Sequence, residues 1–261
     1  MAAHSRRNGR GCQSLKTVGR RPRVCGRFNV ISDPLTRLLM DITGQSFNLQ
    51  SAYNIAPTET VPVLRYLPHT AVQTVDKNRD WCLDEMRWWL VPSWTKTVSE
   101  KFAMFNARIE TIEKSRAYAR PFHHQRCVIP ASGYYEWQGV RGDRQPFYLT
   151  PADADGFLFA GVWDRREDSD GQVLLSCSMI TRPAGEDMVE IHQRVPAMLL
   201  ATDLDTWFDE SLAPEALKSL VLADKGLPLN MTPVSHWVNN SRHKDARCVD
   251  PAGATRCIQY H

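Results

Sequence analysis

Residues 126–149, RCVIPASGYYEWQGVRGDRQPFYL, contain three closely spaced runs that are typical of β-strands, at 126–130, 133–137 and 145–149. Runs rich in β-forming residues recur on both sides of this stretch, whereas apolar residues at helical spacing occur in only a few segments. The further strand runs are 61–67, 70–75, 87–91, 157–163 and 173–181, and the helical segments are 35–42, 110–120, 203–209 and 214–223. Because the strands show no regular βαβ alternation, the pattern predicts one α+β domain with a curved or barrel-like, mostly antiparallel sheet and flanking helices.

The bulk composition limits the class of protein. The chain has 261 residues, 43% of them hydrophobic, which is enough for a sizeable core, and no apolar run approaches the ~20 residues that span a bilayer. Seven widely spaced cysteines without a C-x-x-C pair argue against a disulfide framework or structural zinc and favour a reducing compartment. With no metal-ligand spacing and no glycine-rich phosphate loop, we expect a soluble, cytoplasmic monomer without metal, cofactor or membrane partner, associated with the nucleoid in a bacterial host.

The net charge of +3 is unevenly distributed. Residues 1–24 hold seven basic residues and no acidic ones, so the remaining residues, 25–261, carry 25 basic and 29 acidic side chains. Binding of nucleic acid therefore needs a local basic patch. The first 24 residues read as a disordered basic leader, as an organellar transit peptide, or as sequence that is not translated because Val24 is a GTG start codon. We expect the folded domain to cover 25–261.

Two groups of residues point to nucleic-acid chemistry, each with a structural alternative. Trp88, Trp89 and Trp94, followed by Asn106, Arg108 and Arg116, suit base stacking beside a phosphate groove, although tryptophans in strands more often belong to the core. Residues 53–58, YNIAPT, which include Asn54, also fit a polar turn.

Three further residues are candidates for acid–base or nucleophilic work. Glu136 lies in an aromatic strand, where burial would raise its pKa toward neutrality, unless it faces solvent. His192, beside Arg194 and before a buried strand, is a candidate proton donor or a structural histidine. Cys25, in the run CGRF at 25–28, is a candidate nucleophile or a buried thiol without a chemical role.

Taken in order, the segments CGRF (25–28), YNIAPT (53–58), NARIET (106–111), GYYEW (133–137) and IHQRVP (191–196) resemble the SRAP family of SOS-response-associated abasic-site processing proteins. The resemblance extends from Cys25 to about residue 250 and implies a single SRAP domain. Three positions depart from the family pattern: Cys25 is not residue 2, Trp89 replaces a common Gly, and Gln193 replaces the usual Asp.

The resemblance also implies a function and a set of roles. Cys25, once it is the first residue, would form a thiazolidine with the aldehyde of an abasic site in single-stranded DNA, with peptidase-like removal of preceding residues and lyase activity. Glu136 would move protons at the amine, and His192 would help open the sugar ring or protonate the departing hydroxyl. The remaining implied roles are positioning by Asn54 and Asn106, phosphate binding by Arg27, Arg108, Arg116 and Arg194, stacking on the DNA or shaping of its wedge by Trp88, and an active-site wall that includes Thr181.

Two other functions fit parts of the pattern. A cysteine peptidase would use Cys25 as nucleophile and His192 as base, although the CGRF context lacks the usual protease surroundings. A non-covalent single-strand binder would use only the tryptophans and arginines, and salt would abolish its binding.

Overall fold

The computed structural model describes residues 25–66, 81–140 and 142–260. The predicted basic leader, residues 1–24, and the predicted strand at 70–75 lie outside the described residues. In chain order the described strands are β1 (Phe28–Val30), β2 (Ala52–Ile55), β3 (Thr60–Tyr66), β4 (Trp81–Trp88), β5 (Asn106–Arg108), β6 (Arg126–Ala131), β7 (Gly133–Val140), β8 (Asp143–Pro151), β9 (Phe157–Glu167), β10 (Val173–Pro183), β11 (Arg194–Pro196), β12 (Met198–Leu199), β13 (Leu227–Pro233) and β14 (Arg256–Tyr260). The helices are α1 (Ser32–Thr43), α2 (Ala119–His124), α3 (Glu186–Val189), α4 (Leu204–Phe208) and α5 (Pro214–Leu222), with 3-10 turns at Ile109–Lys114, Ala201–Asp203, His236–Asn239 and Ala246–Val249.

The described strands form two sheets, and the larger, eight-stranded one closes into a barrel. Its strand order is β11-β10-β4-β3-β6-β9-β12, and β9 also pairs with β10, so that the five strands β10, β4, β3, β6 and β9 form a ring. Strand β10 runs parallel to β4 and to β5. The other described pairings of this sheet, including those of β10 with β9 and β11, are antiparallel. This architecture confirms the predicted α+β fold with a barrel-like, mostly antiparallel sheet.

The smaller, six-stranded sheet, called the first sheet below, is antiparallel and lies against the barrel. Its order is β14-β13-β8-β7-β1-β2, and the β7–β8 hairpin places Glu136 opposite Phe147. Phe28 on β1 reaches across to the barrel, where its ring lies 4.9 Å from the ring of Trp88 and 6.5 Å from that of Phe159, both edge to face. Since aromatic pairs of this geometry stabilise a core beyond their buried area, Phe28 fixes the chain three residues after Cys25.

The helices flank the sheets and differ from the sequence prediction in one place. The predicted helix at 110–120 is instead a 3-10 turn, Ile109–Lys114, and the separate helix α2, because Ser115 has an extended backbone with ψ of 120°. Helix α1 ends at Thr43 and is capped by Gly44, whose φ of 69° suits a residue without a side chain. Within the described ranges, no helix has the length and apolar character needed to cross a membrane.

Candidate active site

Three of the predicted site residues meet around the backbone of Cys25. Cys25 is fully buried just before β1, and its N–H donates a hydrogen bond to Glu136 Oε1 on β7 at 2.8 Å. Asn106 Nδ2, at the start of β5, donates to the carbonyl oxygen of Cys25 at 3.4 Å. Strands from both sheets therefore converge on the nitrogen and the carbonyl of this one residue.

Burial sets the protonation state of Glu136. The side chain is 4% exposed, and burial raises its pKa from 4.5 to about 8. Hydrogen bonds from the amides of Cys25 and Trp137 and the charge of Arg144 oppose this rise. A carboxyl group with a pKa in this range can both give and accept a proton near neutral pH.

The Cys25 thiol is not activated in the manner of a catalytic thiolate. Burial raises its pKa well above the usual value, and the neighbouring negative charge of Glu136 raises it further. The thiol therefore remains protonated at neutral pH. It donates toward the carbonyl oxygen of Arg27, which lies 4.0 Å from the Cys25 Sγ atom.

His192 Nδ1 lies between two backbone atoms of Arg194. The Arg194 N–H and the Arg194 carbonyl oxygen are both 3.1 Å from Nδ1, so this nitrogen can accept from the first or donate to the second, and both neutral tautomers fit the site. Nε2 is buried and has no hydrogen-bond partner among the described residues. Burial lowers the pKa of this histidine, the hydrogen bond with the Arg194 backbone opposes that fall, and the charges of Arg194 and Arg144 add to it. The neutral ring can therefore donate or accept one hydrogen bond at Nε2, according to which ring nitrogen carries the proton.

Arg144 is a site residue that the sequence interpretation missed. Its charge lowers the pKa of both Glu136 and His192, which places it near both groups. Arg144 stands opposite Gly139 in the β7–β8 hairpin. The hairpin signal in the sequence could have found it, because the strand that returns after GYYEW must carry its residues back past Glu136.

Arg194 and Thr181 join the NARIET and IHQRVP segments. The Arg194 guanidinium donates to both carboxylate oxygens of Glu110 at 2.7 and 3.0 Å, and to the Thr181 carbonyl at 2.7 Å. Thr181 is 1% exposed, and its hydroxyl donates to the Ala107 carbonyl at 3.3 Å. Thr181, which the resemblance places in the active-site wall, is too buried to contact DNA, and its hydroxyl and carbonyl oxygens hold the Arg194 side chain in place.

Arg27 and Asn54 also need correction, because their polar atoms bind other parts of the protein. Arg27 donates to Asn54 Oδ1 at 2.8 Å and to the Val238 carbonyl at 2.7 Å, so these donors are not available to a phosphate. Asn54 Nδ2 lies within 3.0–3.2 Å of the carbonyl oxygens of Val238, Asn240 and His243. Among the described contacts, Asn54 therefore positions Arg27 and the C-terminal segment, and not Cys25 directly.

Trp88 is a core residue and not a stacking surface. Its ring is 0% exposed and its Nε1 donates to the Phe105 carbonyl at 2.9 Å, so no base can reach it. The exposed aromatic side chains of this region are instead Trp94, at 51%, and Phe102, at 69%. The exposed Arg116, expected near a phosphate, lies with its guanidinium carbon 4.1 Å from the centre of the Trp94 ring.

A cavity of about 810 Å³ opens beside Glu136. Its walls come from the β1 entry, the segment after β2, the loop before β5, the β7–β8 hairpin and the C-terminal segment. The lining residues are Gly26, Arg27, Ala56, Pro57, Thr58, Trp89, Glu100, Phe105, Glu136, Trp137, Gly142, Arg144, His236, Asn239 and Ser241. The exposed Arg108, which follows Asn106 on β5, lies outside this lining.

Metal and disulfide chemistry have no visible basis in the described part of the chain. No cluster of three or more His, Cys, Asp or Glu side chains there could hold a metal ion. Cys25, Cys82, Cys127, Cys177, Cys248 and Cys257 are all free thiols.

Known proteins have similar sequences and the same fold. The family model described as SOS response associated peptidase (SRAP) matches residues 24–241. The abasic site processing protein YoaM of Bacillus subtilis (strain 168) is 29% identical over 232 residues, 87% of this chain and 98% of YoaM. The abasic site processing protein HMCES of Xenopus tropicalis is 31% identical over 231 residues, 79% of this chain and 68% of HMCES. A crystal structure of a Bacteroides thetaiotaomicron protein, 22% identical, has the same fold, with a TM-score of 0.69 over 87% of this chain and 100% of that one. On the extent of the family match, this chain belongs to the SRAP family.

Proposed function

We propose that this protein processes abasic sites by capturing their aldehyde covalently on Cys25 in single-stranded DNA. The observation that carries the proposal is the 2.8 Å contact between the Cys25 nitrogen and Glu136 Oε1 inside a buried site. A nitrogen that must lose and gain protons during the reaction lies beside a carboxyl group whose pKa is about 8. The names of YoaM and HMCES, abasic site processing proteins, support the abasic site as the substrate of this proposal.

The first step requires Cys25 to be the N-terminal residue. An α-amino group has a pKa of about 8, so a useful fraction is neutral at physiological pH, whereas an amide nitrogen is not nucleophilic. The amine attacks the aldehyde carbon of the ring-opened deoxyribose, and loss of one water gives a Schiff base. In this step Glu136 carries two protons in turn from the amine nitrogen to the departing oxygen, which leaves as water, so Glu136 ends the step ionised. His192 helps to open the sugar ring before this step.

The second step closes the ring. The Cys25 thiol adds to the C=N carbon, its proton passes through Glu136 to the nitrogen, and a five-membered thiazolidine forms with no further loss of atoms. Because the thiol pKa is raised, the thiol needs Glu136 as a base at this point. Since the amine and the thiol belong to one residue, the closure is intramolecular and gains a large proximity advantage.

Exposure of the Cys25 amine has two routes within this proposal. Translation starts at Val24, so that a methionine is trimmed before Cys25, or the bond between Val24 and Cys25 is hydrolysed. In the hydrolysis, water adds to the Val24 carbonyl carbon, the C–N bond breaks, and Glu136 gives its proton to the departing Cys25 nitrogen. The domain of 25–261 is then the mature protein, and residues 1–24 are a leader or an untranslated segment.

We propose that the DNA contacts Arg144 and exposed residues on the segments before and after Asn106. Arg144 offers a positive charge near Glu136 and His192, while Trp94, Arg108 and Arg116 are exposed and suit base stacking and phosphate binding. Stacking and phosphate contacts of this kind bind single strands without regard to sequence. In this proposal a local patch of an otherwise slightly acidic domain binds the DNA.

A cysteine peptidase acting on other proteins fits the site less well. Such an enzyme needs a thiolate paired with a histidine, and the pKa of the Cys25 thiol is raised by its burial and by Glu136. The group next to the Cys25 backbone nitrogen is a carboxyl group, which suits chemistry at the amine.

A denaturing gel tests the proposal. The chain begun at Cys25 is incubated with single-stranded DNA that carries one abasic site, and a slowly migrating adduct is expected. The adduct should vanish in Cys25→Ser and persist in Cys257→Ser, which removes an exposed thiol elsewhere. An adduct that survives in Cys25→Ser, or none in the unmodified chain, contradicts the proposal. Binding that denaturant fully reverses would favour a non-covalent single-strand binder.

A further inference from the structure

The guanidinium of Arg194 is already bound to an anion within the protein. Its Nη1 donates to Glu110 Oε1 at 2.7 Å and its Nη2 donates to Oε2 at 3.0 Å, a bidentate pair. Its Nε donates to the Thr181 hydroxyl at 3.2 Å. A bidentate carboxylate uses the same fork of N–H donors that a phosphate would use. Arg194 therefore cannot bind a DNA phosphate through this fork while Glu110 holds it.

The ion pair is open to exchange from one side only. The side chain of Arg194 is 11% exposed, while that of Glu110 is 41% exposed. Arg194 is held in place by the buried Thr181, so the exposed carboxylate is the partner that can leave. The positive charge of Arg108 also acts on Glu110. A phosphate that arrives at the proper place can bind both arginines and displace Glu110.

We propose that Glu110 is a specificity-determining residue, which occupies the Arg194 fork so that Arg194 binds DNA only where a phosphate is positioned to displace the carboxylate. The inference rests on the proposed function, because it assigns the displacing anion to the DNA backbone. Undamaged or badly placed strands then lack the contact, whereas a strand seated with its lesion at Cys25 gains it. Glu110 thereby lowers general affinity for DNA and raises selectivity for the seated strand.

Salt-dependent binding measures the effect directly. The full chain and its Glu110→Gln variant are titrated with an undamaged, fluorescent oligothymidylate of about 20 nucleotides at about 50–200 mM KCl. Glutamine has the same shape and still accepts one hydrogen bond, but it does not neutralise Arg194. We expect Glu110→Gln to bind on the order of 10-fold tighter at low salt. We also expect its log–log salt slope to be steeper by about 0.7, the increment for one more phosphate on a single strand.

Two variants separate this effect from a simple change in net charge. Glu113→Gln removes the same charge from the same 3-10 turn, where Glu113 pairs with Lys218, and should leave the slope unchanged. In the double variant Glu110→Gln/Arg194→Gln, the gain of Glu110→Gln should disappear. An unchanged slope in Glu110→Gln, or a gain of equal size in Glu113→Gln or in the double variant, overturns the inference.

Competition with the crosslinking reaction tests selectivity and keeps the two proposals apart. Undamaged strand should inhibit adduct formation by Glu110→Gln, begun at Cys25, on the order of 10-fold more strongly than by the parent chain. Equal inhibition would overturn the role of Glu110 while the parent adduct still supported the proposed function. Thermal unfolding checks that Glu110→Gln is folded, and Glu110→Ala, which cannot hold Arg194 at all, should show the same steeper slope.

Discussion

At the scale of single residues, the site depends on a carboxyl group whose burial shifts its pKa and on a thiol that the same burial keeps protonated. Glu136 and Cys25 share one buried space, so each changes the chemistry of the other. This coupling favours an order of events in which the nitrogen reacts first and the sulfur second, because the nitrogen is in direct contact with the carboxyl group.

The raised pKa of Glu136 predicts a pH-dependent stability. Between pH 4.5, its ordinary pKa, and pH 8, its pKa in the fold, the native state holds a proton that the unfolded state has lost. The free energy of unfolding should therefore fall as pH rises from about 5 to 8, by on the order of 3–5 kcal/mol. Urea unfolding of the full chain, in which the Cys25 nitrogen is an amide, measures this change.

The Glu136→Gln variant is the control for that experiment. Glutamine does not titrate, so this variant should lose the fall in stability toward pH 8. It should keep only a smaller rise below about pH 6.5, because the pKa of His192 is lower in the fold than in the unfolded chain. Glu85→Gln, at an exposed position on β4, should keep the parent slope. If Glu136→Gln retained the parent slope, the stability change would have another origin.

The sequence identified which residues meet at the site better than it identified the contacts they make. Cys25, Glu136 and Asn106 come together as the motif order implied, because β1, β7 and β5 converge there. Trp88 was misassigned because side chains alternate along a strand, and the inward face of β4 carries Met86 and Trp88. Which face of β4 meets the core follows from its pairing partners, which sequence composition does not supply.

At the scale of single elements, the β7–β8 hairpin depends on the absence of a side chain at Gly133. A Cβ there would lie 2.5 Å from Tyr148 Cζ and 2.6 Å from the Leu149 carbonyl oxygen. We expect Gly133→Ala to lose about 1–3 kcal/mol of stability through overpacking. Because this is a large domain, the melting temperature should fall by about 2–4 °C per kcal/mol, as calorimetry would show.

Gly26→Ala is the matched control for this substitution. A Cβ at Gly26 would meet no atom within 4 Å, so its melting temperature should remain within about a degree or two of the parent value. Equal stability of Gly133→Ala and the parent would mean that Tyr148 moves aside without cost.

The loop before β5 offers a second test at this scale. Trp94 is half exposed beside Arg116, an arrangement that suits stacking of a nucleobase next to a phosphate. We expect Trp94→Ala to weaken binding of single-stranded DNA by about 5-fold to 100-fold, since one stacked base contributes about 1–3 kcal/mol. Fluorescence anisotropy with an undamaged oligonucleotide measures the change.

A comparison with another exposed apolar residue makes the Trp94 result specific. Leu222, at the end of α5, is 44% exposed, but its aliphatic side chain cannot stack on a base, so Leu222→Ala should bind as the parent does. Equal affinities of Trp94→Ala and the parent would remove the loop from the DNA surface.

The existence of the central strands was predictable, while the shorter strands near both ends of the described chain, the short helix α3 and the pairing partners were not. Runs of β-forming residues gave strands β6 to β10 with bounds within a few residues of those observed. The parallel pairing of β10 with both β4 and β5 depends on contacts about 70–90 residues apart, about which local periodicity carries no information. The break at Ser115 was missed because its extended backbone is set by tertiary packing and not by helix propensity.

At the scale of the whole molecule, Asn54 ties the C-terminal segment to the first sheet. Its φ of 52° is in the left-handed region, which asparagine tolerates better than most residues. Its amide faces three carbonyl oxygens of the segment 238–243, and Lys244 donates to the Asn54 carbonyl at 2.8 Å. One residue therefore holds a wall of the cavity in place.

Loss of this contact should loosen the C-terminal segment. In Asn54→Gly the backbone stays relaxed but the amide is lost, which leaves buried carbonyls unpaired at a cost of about 1–3 kcal/mol. In Asn54→Ala the strained φ adds about 1–2 kcal/mol. Limited proteolysis with mass spectrometry should show faster cleavage within 236–249 in both variants. Cleavage at the parent rate in both would mean that the other contacts of the segment suffice.

Glu136, which contacts the Cys25 nitrogen, is synthesised long after Cys25, so the site forms late in translation. Glu136 lies 111 residues after Cys25, so at about 5–20 residues per second a ribosome needs roughly 5–20 s to reach it. During that interval the nascent end cannot be enclosed, and β10, the strand that completes the ring, is made later still. On the route in which translation starts at Val24, we therefore expect trimming enzymes to meet an accessible terminus on the growing polypeptide before the fold closes around Cys25. On the route in which Glu136 assists hydrolysis, maturation of Cys25 must follow folding.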